Sequence, residues 1–481
     1  MSQQQISRSS VGLRSERGPV LLSVMLSTGL VAIDSTILAT AVPSVVDDLG
    51  GFAQFPWLFS VYLLGQAVAV PIYGKLSDIA GRKSIMLFGV ATFVIGSILC
   101  GFAWSMPALI AFRAVQGLGA GAVQPMSMTI IGDLYSMAER AKVQGYVASV
   151  WAISAVIGPT LGGVFSDFLN WRWIFFVNVP LGVAAAWMLI RNFSEKVTKT
   201  KHRIDFAGAT LLALGSTLLI LGLLEGGVLW AWNSWQSVGV LFGSVVLLGV
   251  FVLAERRAPE PILPGWVFRH RVFNGSNLAS LMVGAMLIGL TSYVPLYAQG
   301  VLKTTALIAG FALAVLTIGW PLSASNAGKL YLRIGFRNTA FIGSVLALTG
   351  ATLMLLLSAH SALWQVAVTC FVVGLGMGLI ASPTLIAAQS AVDWQRRGVV
   401  TGANVFARSM GSAVGVAVFG AIANASLSVR VGQAGGSAAD VPAPALFTAL
   451  HHVFIAAATV AVLMVAAIAV IPRHVKLAGG D

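Results

Sequence analysis

The sequence predicts an all-α integral membrane protein: two six-helix bundles with two additional transmembrane helices between them, fourteen spans in all, both termini cytoplasmic. Three observations carry that prediction. Of the 481 residues, 57% are hydrophobic and only 9% are charged. Soluble domains carry about a quarter charged residues, so this chain cannot coat a water-facing surface of its size. The apolar residues also fall in runs near the roughly 20 residues needed to cross a bilayer. Finally, the last third of the chain repeats landmarks of the first.

Taken in order, the first six runs lie at 20–42, 57–77, 85–104, 107–131, 143–165 and 172–190. Two more lie at 205–224 and 235–254, and the last six at 272–299, 306–327, 338–358, 363–389, 398–424 and 450–471. The start, MSQQQISRSSVGLRSERG, is polar and basic, and the apolar run after it is too long for a signal-peptide core. It reads as a retained first helix.

A net charge of +13 raises nucleic acid as a partner, but its distribution excludes that. Of the 29 Lys and Arg, Arg172, Lys303 and Arg430 fall outside, Arg113 and Arg408 fall within spans, and every other one lies in an inside loop or tail. That is the positive-inside pattern, and it points to a multi-pass protein of the cytoplasmic membrane. Cys100 and Cys370 sit in apolar runs and offer neither a disulfide framework nor metal-ligand spacing.

The repeat is read from several landmarks in one order. GKLSDIAGRK (74–83) matches GKLYLRIGFR (328–337) at an offset of 254, and GLGAG (117–121) matches GLGMG (374–378) at 257. Arg140, Gly145, Gly158 and Gly163 match Arg397, Gly402, Gly415 and Gly420, also at 257. The expected organisation is a bundle over 1–190, a linker over 191–271 carrying the two inserted helices, and a second bundle over 272–481. Parallel repeats of this kind are a transporter architecture, with the site between the halves near mid-membrane.

Asp34 is the acidic residue placed well inside a span. It lies roughly 12 Å below the outer end of the first helix, and Arg113 of the fourth helix roughly 9 Å below the same surface. The two charges share a level. Intramembrane ionisable residues face bundle interiors or watery cavities and mark ion or substrate paths. Desolvation opposes the charge on Asp34 and a nearby guanidinium favours it, which suits a group that takes and loses a proton as the protein changes state. Such coupling requires that carboxyl to reach an aqueous vestibule. A fixed structural ion pair, or a cap on a broken helix, is the alternative.

GKLSDIAGRK can lock helix ends on the cytoplasmic side and release them, or be an ordinary basic loop. In GPTLGGVF (158–165), the glycines allow close backbone approach and Pro159 removes a helix hydrogen bond; plain small-residue packing is the rival reading. Arg408 occupies the repeat position of Trp151 and either lines a cavity with it or bonds backbone carbonyls. Glu225, followed by GGVLWAWNSW, belongs at the outer interface in an aromatic belt, with cavity lining as its other possible role. The segment 425–449 reads as a flexible outer loop without assigned chemistry. GKL at 74–76 and 328–330 lacks the rest of a phosphate-binding loop, so uphill work must draw on an ion gradient. No nucleophile–base or metal-ligand set lies within the spans, which speaks against an enzyme.

These stretches together resemble the major facilitator superfamily, specifically its fourteen-helix drug:proton antiporter group, over nearly the whole chain. IDSTILATAVP is similar to that group's first-helix motif and RAVQGLGAG to its fourth-helix motif; the resemblance implies proton coupling by Asp34 and Arg113. GKLSDIAGRK resembles the superfamily's conformational loop at Gly74, Asp78, Gly81, Arg82 and Lys83. GPTLGG resembles the antiporter motif, bringing Gly158, Pro159, Gly162 and Gly163, and WRWIFFVNVPLG (171–182) the sixth-helix entrance. The second half departs from the first: Leu332 stands where Asp78 does, and no counterpart of Arg113 or Pro159 occurs. The resemblance implies proton-driven export of amphipathic, cationic compounds by a monomer, with no cofactor beyond the proton gradient. Its partners are small substrates, protons and the lipid bilayer. In that picture Asp34 itself alternates between proton and cationic substrate. A dedicated exporter of one endogenous metabolite, lipid or siderophore is the nearest rival, and a passive facilitator or uptake symporter a further one.

Overall fold

The computed structural model describes residues 12–135, 137–195, 205–259, 261–263, 265–392, 397–431 and 442–473. Among them α-helix dominates. The first half is built from α1 (Gly18–Leu49), α2 (Pro56–Ala80), α3 (Arg82–Gly101), α4 (Met106–Leu134), α5 (Met137–Phe168), α6 (Trp173–Phe176) and α7 (Asn178–Asn192). The inserted pair is α8 (Phe206–Glu225) and α9 (Trp235–Glu255). The second half comprises α10 (Arg271–Gly300), α11 (Ala306–Ile334), α12 (Phe336–Met354), α13 (Leu363–Ser390), α14 (Arg397–Val431) and α15 (Ala443–Val470).

Thirteen stretches are long and apolar enough to span, with α6 and α7 counted as one, Trp173–Asn192. The fourteenth is α12, whose charged and amide-bearing start, Phe336–Arg337–Asn338, lowers its mean hydropathy. The α6–α7 break is slight. Val177 keeps helical angles (φ −60°, ψ −25°), and Pro180, lacking an N–H, removes one rung of the ladder there.

Packing repeats with the sequence. In the first half α1 lies on α5 and α7, while α4 lies between α2 and α3; in the second, α10 lies on α14 and α15, while α13 lies between α11 and α12. The halves meet through α5 against α11 and α2 against α14, again equivalent pairs. Gly81 (φ +89°, ψ 150°) and Gly335 (φ +85°, ψ 162°) occupy one repeat position in one backbone conformation, a region open essentially to glycine alone. The inserted α8 packs against α9, α2 and α14. By contrast α9 presents exposed Val238, Phe242, Val245 and Leu253, the apolar coat expected of a helix facing lipid tails.

Several boundaries differ from the sequence expectation, whereas Pro159 lies inside its helix as the expected span 143–165 had it. Pro43 does not end α1, which continues to Leu49. The expected 425–449 loop is shorter, because α14 runs to Val431 and α15 begins at Ala443, its entry fixed by Pro442 and Pro444; residues 432–441 lie outside the described set.

Candidate functional site

Five helices bring a polar cluster together inside the first half. Asp34 projects from α1 and Arg113 from α4, and each is only 1% exposed. Arg113 Nη1 donates to Asp34 Oδ2 at 2.7 Å. The other carboxylate oxygen, Oδ1, accepts from Gln116 Nε2 at 2.8 Å and from Asn178 Nδ2 of α7 at 3.0 Å. Gln116 and Asn178 both also donate to Ser97 Oγ of α3, at 2.7 and 3.0 Å. Arg113 is held in turn by Nε donating to the Leu58 carbonyl of α2 at 3.1 Å and by Gln116 Oε1 accepting at 2.5 Å. Its guanidinium lies over the Tyr62 ring, 4.1 Å from the centroid, a cation–π contact strengthened by desolvation.

The chemistry of this arrangement is one-sided. Each side-chain group that meets the Asp34 oxygens is a donor, so both carboxylate oxygens are hydrogen-bonded. Buried charges persist only when paired and hydrogen-bonded, and this pair is both.

The predicted Asp34–Arg113 pair therefore forms, facing the bundle interior rather than lipid. The expected water access does not hold in this conformation: the carboxyl is closed off, because Gln116, Asn178 and Ser97 fill the space a vestibule would occupy. Oδ1 accepts two donors and Oδ2 one, all from within the first half.

The glycines of the α5 motif sit at helix contacts. A Cβ on Gly158 would overlap the Thr36 hydroxyl of α1; on Gly162, the Ile37 carbonyl and Thr40 hydroxyl; on Gly163, the backbone of Leu307 in α11. Thr36 Oγ1 donates to Ser154 O of α5 at 3.1 Å, and Thr40 Oγ1 to Pro159 O at 3.4 Å. A Cβ on Gly310 of α11 would sit 2.7 Å from that same Pro159 carbonyl. One stretch of α5 thus touches the Asp34-bearing helix and the opposite half together.

In the cytoplasmic turn, Gly81 supplies the sharp reversal. Arg82 pairs with Asp133 of α4 at 3.2 Å and with Glu195 at 3.3 Å. The Lys83 N–H donates to Glu195 at 3.0 Å, and Lys83 Nζ to the carbonyls of Ile190 at 2.9 Å and Phe193. Gly74 and Asp78 belong to α2, but the Asp78 side chain falls outside the described set.

The remaining candidates do not join the cluster. Glu225 is buried, with Trp57 Nε1 donating to it at 2.8 Å, a bond that fastens α8 to α2. Trp151 is 37% exposed on α5. Ser412 Oγ donates to the Arg408 carbonyl at 3.0 Å, and no ion pair or ring contact links Arg408 to Trp151 or to Asp34 among the described residues. Gln116, Asn178, Ser97 and Tyr62 were not legible as site residues. Gln116 had a weak signal, one turn beyond Arg113 on the same helix face.

Side-chain hydrogen bonds between the halves, among the described residues, lie toward the outer ends. Gln299 donates to Thr40 O, Asn424 to Ala53 O and Ser60 to Ala413 O, while Asp167 accepts from the N–H groups of Ala306 and Leu307. On the charge-assigned orientation the molecule is shut toward the outside.

Two packed repeats with a buried charged cluster inside one of them are the architecture of a membrane transporter. The chain belongs to the Major Facilitator Superfamily, whose family model matches residues 24–416. It is 35% identical to Multidrug resistance protein 3 of Bacillus subtilis (strain 168), over 88% of this chain and 84% of that protein. It is 34% identical to Multidrug transporter protein MdtP of the same organism, over 87% of this chain and 77% of the relative. Among solved structures, a bacterial homolog to the human lysosomal transporter Spinster, inward-facing and unoccupied, superposes with a TM-score of 0.66 at 17% identity, covering 95% of this chain and 98% of that one. A mutant of the nucleoside transporter NupG gives 0.64 at 12% identity, covering 94% and 98%. Both share the fold.

Proposed function

We propose that the protein is a proton-coupled antiporter that exports amphipathic, cationic compounds across the cytoplasmic membrane by alternating access, as a monomer and with the proton gradient as its energy source. The names of the Bacillus subtilis relatives support multidrug export. The observation that carries the coupling is the buried Asp34 carboxylate, surrounded by donors from two other helices and charge-paired to Arg113.

In the state shut toward the outside, Asp34 is held by donors from α4 and α7. Opening to the outside parts α1, α2 and α5 from the second half, and in this reading the same movement loosens α1 from α4 and α7. A proton arriving there neutralises Asp34 and leaves Arg113 uncompensated until the return. Coupling then runs through conformation: the proton sets which state is stable, and substrate need not touch Asp34. The α5 glycines and the Gly81 turn transmit and limit the movement in this reading.

Wild-type protein in liposomes, acid outside, should expel several chemically distinct cationic dyes uphill, and a protonophore should abolish this. Uphill export of one compound class alone would favour a dedicated exporter. Flux unaffected by the gradient would make it a facilitator, and uptake driven by the same gradient a symporter.

A further inference from the structure

Three arginines of the second half meet at the cytoplasmic ends of their helices. Arg271 opens α10, Arg337 is the second residue of α12, and Arg473 lies two residues beyond Ile471, the C-cap of α15. They line one cavity of about 490 Å³, within the roughly 300–1,000 Å³ typical of small-molecule sites. Its other wall includes Ala466, Ala469 and Val470 of α15, all three exposed. None of the three arginines makes an ion pair among the described residues.

The internal repeat explains how this charge came to be unbalanced. The repeat register carries Arg17 onto Arg271 and Lys83 onto Arg337. In the first half carboxylates stand at both places: Arg17 pairs with Glu139 at 3.4 Å, and Glu195 accepts from the backbone N–H of Lys83 at 3.0 Å while pairing with the neighbouring Arg82 at 3.3 Å; the Lys83 ammonium itself donates to the carbonyls of Ile190 and Phe193. Glu195 lies two residues past Phe193, the C-cap of α7. The residue at that place after α15 is Arg473, and the register carries Glu139 onto Arg396. Both carboxylates have therefore become arginines. What the first half neutralises internally, the second half leaves without a carboxylate partner among the described residues.

We propose that this cavity binds the phosphate of an anionic phospholipid of the cytoplasmic leaflet. Arginine forks match phosphate oxygens bidentately, and basic pockets between helices on the cytoplasmic side suit lipid headgroups. The three guanidinium groups sit where spans end, at headgroup depth. The exposed apolar face of α15 beside them accepts an acyl chain, for which a free phosphate has no use. The lipid ties α10, α12 and α15 together at their inner ends, as Glu195 ties α3 to the chain after α7. This site is separate from Asp34 and does not depend on the transport reading.

The test uses full-length protein in detergent, titrated with phosphatidylglycerol or phosphatidylcholine, with bound lipid counted by mass spectrometry of the intact protein. Wild type should retain phosphatidylglycerol in preference to phosphatidylcholine. The triple variant Arg271→Gln, Arg337→Gln, Arg473→Gln should bind phosphatidylglycerol on the order of 100-fold more weakly, since each cation near the surface contributes a similar increment. The triple lysine variant, which keeps the charge, should lose far less, and Arg256→Gln with Arg257→Gln should lose nothing. Unchanged phosphatidylglycerol binding in the glutamine variant would overturn the proposal. So would displacement of the lipid by an equal concentration of inorganic phosphate, which would make this a site for a soluble anion. If the glutamine variant fails to fold, equal retention of the two lipids by wild type overturns the proposal on its own.

Discussion

At the scale of single residues, the Asp34–Arg113 pair behaves as one unit. Removing one member of a buried pair leaves the other charge uncompensated, at a cost of about 3–5 kcal/mol, whereas removing both is far milder. Arg113→Gln should thus lower the thermal midpoint sharply, and adding Asp34→Asn to it should recover much of the loss. A double-mutant cycle on detergent-purified protein measures this; additive losses would mean that the two charges do not meet. Lysine should not replace Arg113, because one ammonium cannot supply Nε to Leu58 O and Nη1 to Asp34 together. The pair was legible because a charge in an apolar run stands out. Ser97, Gln116 and Asn178 were not, since neutral polar residues barely disturb hydropathy and only the folded packing shows that they converge.

At the scale of elements, the two cytoplasmic turns form a natural control. Gly81 and Gly335 share a backbone region that costs another residue about 1–3 kcal/mol. Alanine at either should destabilise by that amount. Only Gly81 sits beside residues clamped to Asp133 and Glu195, so Gly81→Ala should slow transport further at matched stability. Equal transport by the two variants in liposomes would separate the turn from the conformational cycle. Element boundaries were readable where polar punctuation is strong, as at GKLSDIAGRK. They were misread where small residues carry a helix on, as at the start of α15, while α12 was legible as an apolar run despite its polar start.

At the scale of the molecule, the halves are fastened on the outer side. Cysteines at Ala53 and Asn424, whose backbone and side chain are joined at 2.9 Å, should react with a short bifunctional maleimide. Cys100 and Cys370 are both buried and free and should stay silent. The cross-linked protein should bind substrate from the cytoplasmic side yet carry none across; undiminished transport would mean that the outer seam need not open. The spans and the repeat were present in the sequence, because span length is set by the bilayer itself; the orientation is assigned from the positive-inside charge. The side on which the halves close was not present in it, because both arrangements bury similar apolar surface with the same chain.

The most direct measurement of the central claim is substrate efflux from liposomes holding Asp34→Asn protein, with and without an acid-outside gradient. Downhill flux should persist while the response to the gradient disappears. Uphill, gradient-driven efflux at the wild-type rate would contradict the assignment of the coupling proton to Asp34.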